Sequence, residues 1–279
     1  MIFKSIPRQV KNLGLVSLFN DIASEMLYPV MPIFLTQVLA APVAVVGIIE
    51  GVAEGSSAIF KTLFGLWSDK LGKRKIFVVF GYLSSAIAKV IIALSIIWPW
   101  VFLGRFVDRF GKGVRTGARD ALLLEAADKN NKGLIFGFHR SMDSAGAVLG
   151  PLIGFFLLLS FEENIRLILY LAAIPSLFAL FFLIFIKDAK KNEKKNLRLS
   201  LTFKNLPSQF KLFLLTVAIF SLGNSSDVFL ILRAQNLGLT LSLVILAYVI
   251  YNFVYTFAST PAGGFSDKIG PKKIFWWEF

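Results

Sequence analysis

Long apolar blocks alternate with short polar segments along almost the whole chain. A helix rises 1.5 Å per residue, so crossing a hydrocarbon layer of about 30 Å takes about 20 apolar residues. Runs of that length stand at 12–36, 43–66, 76–97, 100–124, 134–158, 164–186, 209–232 and 241–262. The pattern predicts eight complete membrane-spanning helices and a ninth that starts at Ile274, five residues before Phe279 ends the sequence. On this reading the sequence is a fragment or an interrupted reading frame.

Composition supports the same class. Of 279 residues, 56% are hydrophobic and 17% charged, and mean hydropathy is +0.70, values a soluble domain seldom reaches. The basic start MIFKSIPRQVK is followed by no small-residue cleavage site, so the first span reads as retained. With the N-terminus inside, twenty Lys and Arg fall in cytoplasmic segments and almost none in the opposite loops, as the positive-inside rule requires. The net charge of +13 is thereby spread over short loops rather than gathered on one soluble domain. That distribution excludes nucleic acid as a partner and favours anionic inner-leaflet lipid. With no Cys and one His, neither a disulfide nor a metal cluster can be built, and no cofactor is expected.

Two short stretches repeat. GLWSDKLGKRKIF at 65–77 and GGFSDKIGPKKIF at 263–275 share eight of thirteen positions. SLFNDIASEMLYPV from Ser17 is echoed by SLGNSSDVFLILRAQ from Ser221, and the order of elements after each is the same. The chain therefore reads as a duplication. Its parts are a six-helix bundle over 1–186, a basic cytoplasmic linker over 187–208, and an incomplete second bundle over 209–279.

Spans one to five carry charges well inside the membrane: Asp21, Glu25, Glu50, Glu54, Asp108 and Asp143 against Lys89, Arg105, Arg109, Lys112, Arg115 and Arg140. Exposing all twelve to lipid would cost on the order of 30 kcal/mol at about 3 kcal/mol each. They must face one another or a wet cavity. Asp21, Asp143 and Glu54 are expected near the midplane, where a carboxylate held between desolvation and neighbouring arginines is suited to carry a proton. Asp21, Glu25, Glu54, Arg105 and Asp143 are the candidates for proton coupling and transport. The competing reading, ion pairs that only fix helix packing, stays open here. His139, four residues before Asp143, reads as a structural hydrogen-bonder. The third and sixth spans read as peripheral scaffold, with Lys89 out of place in the third. Asn20 in the first span, Asn224 and Asp227 in the seventh, and Tyr251 and Asn252 in the eighth are candidate cavity-lining residues; Tyr248 could equally pack or face lipid.

These features resemble the major facilitator superfamily, in which two six-helix bundles enclose a central substrate path. GLWSDKLGKRK is similar to its signature loop between helices 2 and 3, and GGFSDKIGPKK to the counterpart between helices 8 and 9. The resemblance implies an all-α integral membrane fold: a complete first bundle, then the first two to three helices of the second. It also gives the repeated loop the role of a conformational latch, carried by Gly65, Asp69, Gly72 and Arg74, with Asp267 in the second copy. In the fifth span, Gly137, Gly146, Gly150, Pro151 and Gly154 resemble the motif of members that exchange solutes for protons, with Phe155 in place of the usual final glycine. Small residues there allow close helix packing, and Pro151 permits bending. In the fourth span Arg105 matches a residue the family uses in proton coupling, while Asp108 and Arg109 replace a glutamine and a glycine.

No Gly-x-Ser-x-Gly element or other nucleophile–base pair appears, so an enzyme is not expected. The resemblance implies a proton-coupled secondary transporter of the plasma membrane: a monomer working on a small solute and protons in the bilayer, more in the manner of an exporter. A proton-linked importer of a nutrient or organic anion, or an inactive fragment, remains the alternative.

Overall fold

The computed structural model describes residues 6–127, 132–161, 164–188, 206–223 and 226–254. Every regular element among them is helical. α1 is Arg8–Leu27, followed by a short turn, Met31–Ile33 and one π-helical segment, Phe34–Val38. Then come α2 (Val43–Leu71), α3 (Arg74–Ala93), α4 (Trp98–Glu125), α5 (Lys132–Ser160) and α6 (Ile165–Leu183). α7 (Ser208–Gly223), α8 (Asp227–Asn236) and α9 (Leu241–Val254) complete the described elements. α2, α3, α5 and α6 are long and apolar enough to cross a membrane by length and composition.

Prolines account for two of the departures from unbroken spans. The first span breaks at Tyr28–Val30 because Pro29 lacks the N–H and its ring meets the preceding turn. α6 is interrupted at Ala172 because Pro175 cannot bond the Leu171 carbonyl. The seventh span, read as continuous over 209–232, is two helices: α7 ends at Gly223, and α8 begins at Asp227 and runs on to Asn236. α2 stops at Gly72, whose left-handed φ of 64° a side chain would strain.

α4 packs against both α2 and α3, and α1 against α5 and α6. Glycines bring these helices together. A Cβ at Gly81 on α3 would lie 2.5 Å from the Gly111 carbonyl oxygen on α4, and one at Gly117 on α4 would lie 2.9 Å from Gly65 Cα on α2. α3 turns Ile76, Phe80, Leu83, Ile87 and Val90 outward in one stripe and buries the opposite face, Lys89 included.

Two apolar cores form, one toward each end of the bundle. Near the N-terminus, Val10, Leu13, Val78, Tyr82, Val114, Leu122 and Ile135 pack together. At the other end Met26, Val30, Phe34, Val46, Ile49 and Ile168 pack with Val228, Ile231, Val244 and Ile245 from the second half of the chain. Phe229 on α8 reaches within 3.0 Å of the Cβ position of Gly47 on α2. The two halves thus meet at the end away from the N-terminus, and the charges lie in the layer between the cores.

Candidate functional site

The polar layer begins where α1 crosses α5. A Cβ on Gly146 would meet Asp21 Cβ at 2.8 Å and the Leu18 carbonyl at 2.9 Å. One on Gly150 would meet the Ile22 carbonyl at 2.6 Å and Glu25 Cβ at 2.9 Å. These two glycines seat α5 directly against the acidic turns of α1. Gly154 makes only ordinary contact, 3.6 Å from the Met26 carbonyl, and Gly137 faces open space. α5 runs through Pro151, which is buried and denies the Ala147 carbonyl its usual donor. One turn nearer the N-terminus, Ser17 Oγ donates to Asp143 Oδ1 at 2.5 Å, His139 Nδ1 lies 3.5 Å from Asp143 Oδ2, and Arg119 Nη1 donates to Ser17 Oγ at 3.5 Å. Asn20 is buried, and its amide donates to Asp21 Oδ1 at 3.2 Å.

A second set of charges joins α2, α3 and α4. Arg105 grips Glu50 with its Nε and Nη2, both side chains buried. Lys89 Nζ lies 3.5 Å from Asp108 Oδ1 and donates to the Ser85 carbonyl at 3.3 Å, again buried. Arg109 Nη2 reaches Glu54 Oε1 at 3.0 Å, where Glu54 is 60% exposed. Arg115 lies over the Tyr82 ring at 4.4 Å and donates to Ser85 Oγ at 2.6 Å. Asp120 accepts from Arg119 at 3.1 Å, and Arg140, 75% exposed, stands 3.9 Å from Asp143. Placing such ions in lipid would be costly, and buried pairing or solvent removes that cost.

The second half adds α9. Tyr248 Oη donates to Glu25 Oε2 at 2.9 Å, its ring stacks on Tyr28 at 5.4 Å, and its carbonyl accepts from Asn252 Nδ2 at 2.9 Å. Between α8 and α9 lies a cavity of about 240 Å³ whose lining includes Asp227, Tyr248 and Tyr251. Asn224 lies outside the described residues.

At the turn joining α2 to α3, Arg74 Nη2 donates to Asp69 Oδ1 at 3.1 Å, and its other terminal nitrogen pairs with Glu125 at the end of α4. Asp188 Oδ1 accepts from the backbone N–H groups of Arg74 and Lys75 at 3.0 and 3.2 Å. Asp267 and the second copy of the loop lie outside the described residues.

The profile of the Major Facilitator Superfamily matches residues 13–278. The chain belongs to this superfamily. It is 37% identical over 278 residues to an uncharacterized MFS-type transporter of Methanocaldococcus jannaschii, covering 97% of this chain and 69% of that protein. It is 33% identical over 159 residues to the bacillibactin exporter of Bacillus subtilis, covering 53% of this chain and 39% of the exporter. Among solved structures, a D-xylose-proton symporter shares the fold with a TM-score of 0.68 at 15% identity, over 93% of this chain and 68% of the symporter.

Within this MFS fold, sequence reasoning found the charged turns of α1, α2, α4 and α5 but left several partners unnamed. Lys89 was the anomaly of an apolar span, and its partner is Asp108. Ser17, Tyr248, Glu125 and Asp188 carry bonds that no motif announces. An isolated lysine opposite an aspartate that departs from the superfamily pattern was the one legible signal.

Proposed function

We propose that this MFS chain is part of a proton-coupled secondary transporter that exports small organic solutes in exchange for protons by alternating access. It is proposed to lie in the plasma membrane with its N-terminus cytoplasmic and to act as a monomer. The observation that carries the reading is Asp21. It is a half-buried carboxylate at the middle level of the bundle, held against α5 by Gly146, and its one side-chain hydrogen bond among the described residues comes from Asn20. A carboxylate so placed, with no cation in direct contact, is free to exchange a proton as the cavity opens to either side. Glu25, Glu54, Arg105 and Asp143 share the coupling and transport with it in this proposal, and the α2–α3 turn, with Asp69 and Arg74, acts as the latch. The bacillibactin exporter among the relatives supports the outward direction.

The test is flux in proteoliposomes of the full-length protein under an imposed pH gradient. An acidic exterior drives solute out of right-side-out vesicles, and Asp21→Asn abolishes the pH dependence. Unchanged pH dependence in that variant removes Asp21 from the coupling, and uptake along the proton gradient replaces export by symport.

A further inference from the structure

α8 and α9 each turn a mixed stripe toward the other. Asp227, Leu230 and Ile231 recur at helical spacing on one face of α8, and Val244, Tyr248 and Tyr251 do so on one face of α9. These two stripes line the cavity of about 240 Å³ between the helices. Within that lining Asp227 is the charged group, the two tyrosines are the aromatic ones, and the remainder is aliphatic.

The tyrosines present rings rather than hydroxyls on this wall. Tyr248 Oη is spent on Glu25 of α1 at 2.9 Å, which leaves its ring for the cavity. That ring lies 6.4 Å from the Tyr251 ring, with the planes 31° apart, and 5.4 Å from the Tyr28 ring. A column of aromatic faces thus runs from α1 into the cavity wall. Asp227, partly buried, is the first residue of α8, where the helix dipole suits a carboxylate. The dipole accounts for the charge but not for its company. Among the described residues no cation pairs with Asp227, whereas Glu50 and Glu54 are answered by Arg105 and Arg109.

We propose that this cavity binds a small organic cation, its ammonium group between Asp227 and the rings of Tyr248 and Tyr251 and its hydrocarbon body on Leu230, Ile231 and Val244. This rests on the reading of the chain as a solute carrier and names the class of solute. A carboxylate and aromatic faces attract an ammonium group together, and an apolar wall with few polar groups suits the rest of the molecule. An anion is repelled by Asp227, and a neutral solute leaves that charge unanswered. A bare metal ion finds one carboxylate where it needs several oxygens.

Ala247 lines the same cavity and the chain has no cysteine, so Ala247→Cys supplies a thiol there. Its alkylation by N-ethylmaleimide is followed at the level of the labelled peptide in the full-length protein in detergent. Benzyltrimethylammonium is the probe, and benzyl alcohol is its uncharged control. The cation is expected to slow alkylation in a saturable way and at far lower concentration than the alcohol. Asp227→Asn should raise its half-protecting concentration about tenfold. Tyr251→Leu should raise it several-fold, and Tyr251→Phe, which keeps the ring, should leave it nearly unchanged. The two Tyr251 variants decide the matter by themselves should Asp227→Asn not fold. Equal protection by the alcohol, or parental protection in both Asp227→Asn and Tyr251→Leu, would overturn the proposal by showing that only apolar filling counts. Labelling that the cation never slows would overturn it too, as would a thiol that never reacts because another segment of the protein fills the cavity. Protection is read without any gradient. Its absence with intact pH-driven flux therefore defeats the organic-cation site alone, and its presence with pH-independent flux defeats proton coupling alone.

Discussion

Arg105 on α4 holds Glu50 on α2 through three hydrogen bonds of 2.5 to 2.9 Å, with both side chains buried. A pair of this kind stabilises little relative to an apolar replacement, but breaking it strands a charge, which costs about 3–5 kcal/mol. Glu50→Gln should therefore lower the thermal unfolding midpoint of the detergent-solubilised protein sharply. Adding Arg105→Met should recover more than half of the loss. Equal destabilisation by the single and double variants would show that the pair's charge is not what the site depends on.

The glycines of α5 are expected to differ in their tolerance. At Gly150 a methyl group would press on the Ile22 carbonyl and the Met26 amide of α1, so Gly150→Ala should destabilise by about 1–3 kcal/mol. Gly137 has nothing within 4 Å, and Gly137→Ala should stay within about 0.5 kcal/mol of the parent. Denaturant titration of the two variants side by side reads the contrast.

Asp188 follows α6 and caps the start of α3, more than a hundred residues away in sequence, by accepting from its first two backbone N–H groups. Loss of a capping acceptor costs about 1 kcal/mol. Asp188→Ala should speed hydrogen exchange at the Arg74 and Lys75 amides, and Asp188→Asn should restore most of the protection.

Tyr248→Phe keeps the ring against Tyr28 and deletes the bond to Glu25. Hydrogen bonds to charged groups contribute about 1.5–3 kcal/mol, so the contact between the halves should loosen. With Gly47→Cys and Phe229→Cys introduced together, a short bifunctional thiol reagent should bridge α2 and α8. The bridging yield should fall several-fold when Tyr248→Phe is added.

Much of the architecture was legible in the apolar runs, because a hydrocarbon layer fixes both the length and the polarity of whatever crosses it. The need for internal charge partners was legible too: twelve ions cannot face lipid. The choice of partner was not. Whether Lys89 meets Asp108, or Arg105 meets Glu50, depends on the rotation of each helix about its axis, and an apolar run of 20 residues leaves that rotation open. Tyr248 and Glu25 are 223 residues apart, and nothing local to either announces the other. The prolines at 29 and 175 were in plain view, but a continuous apolar run conceals the breaks they make.

The seam joining the two halves at the end away from the N-terminus is built chiefly from aliphatic side chains such as Val46, Ile49, Ile231 and Val244. Attraction of that origin fades on cooling, whereas the salt links of the α2–α3 turn do not share that dependence. Chilling should thus act as a conformational effector in its own right, easing the aliphatic clasp while the ionic one at the opposite face keeps its grip.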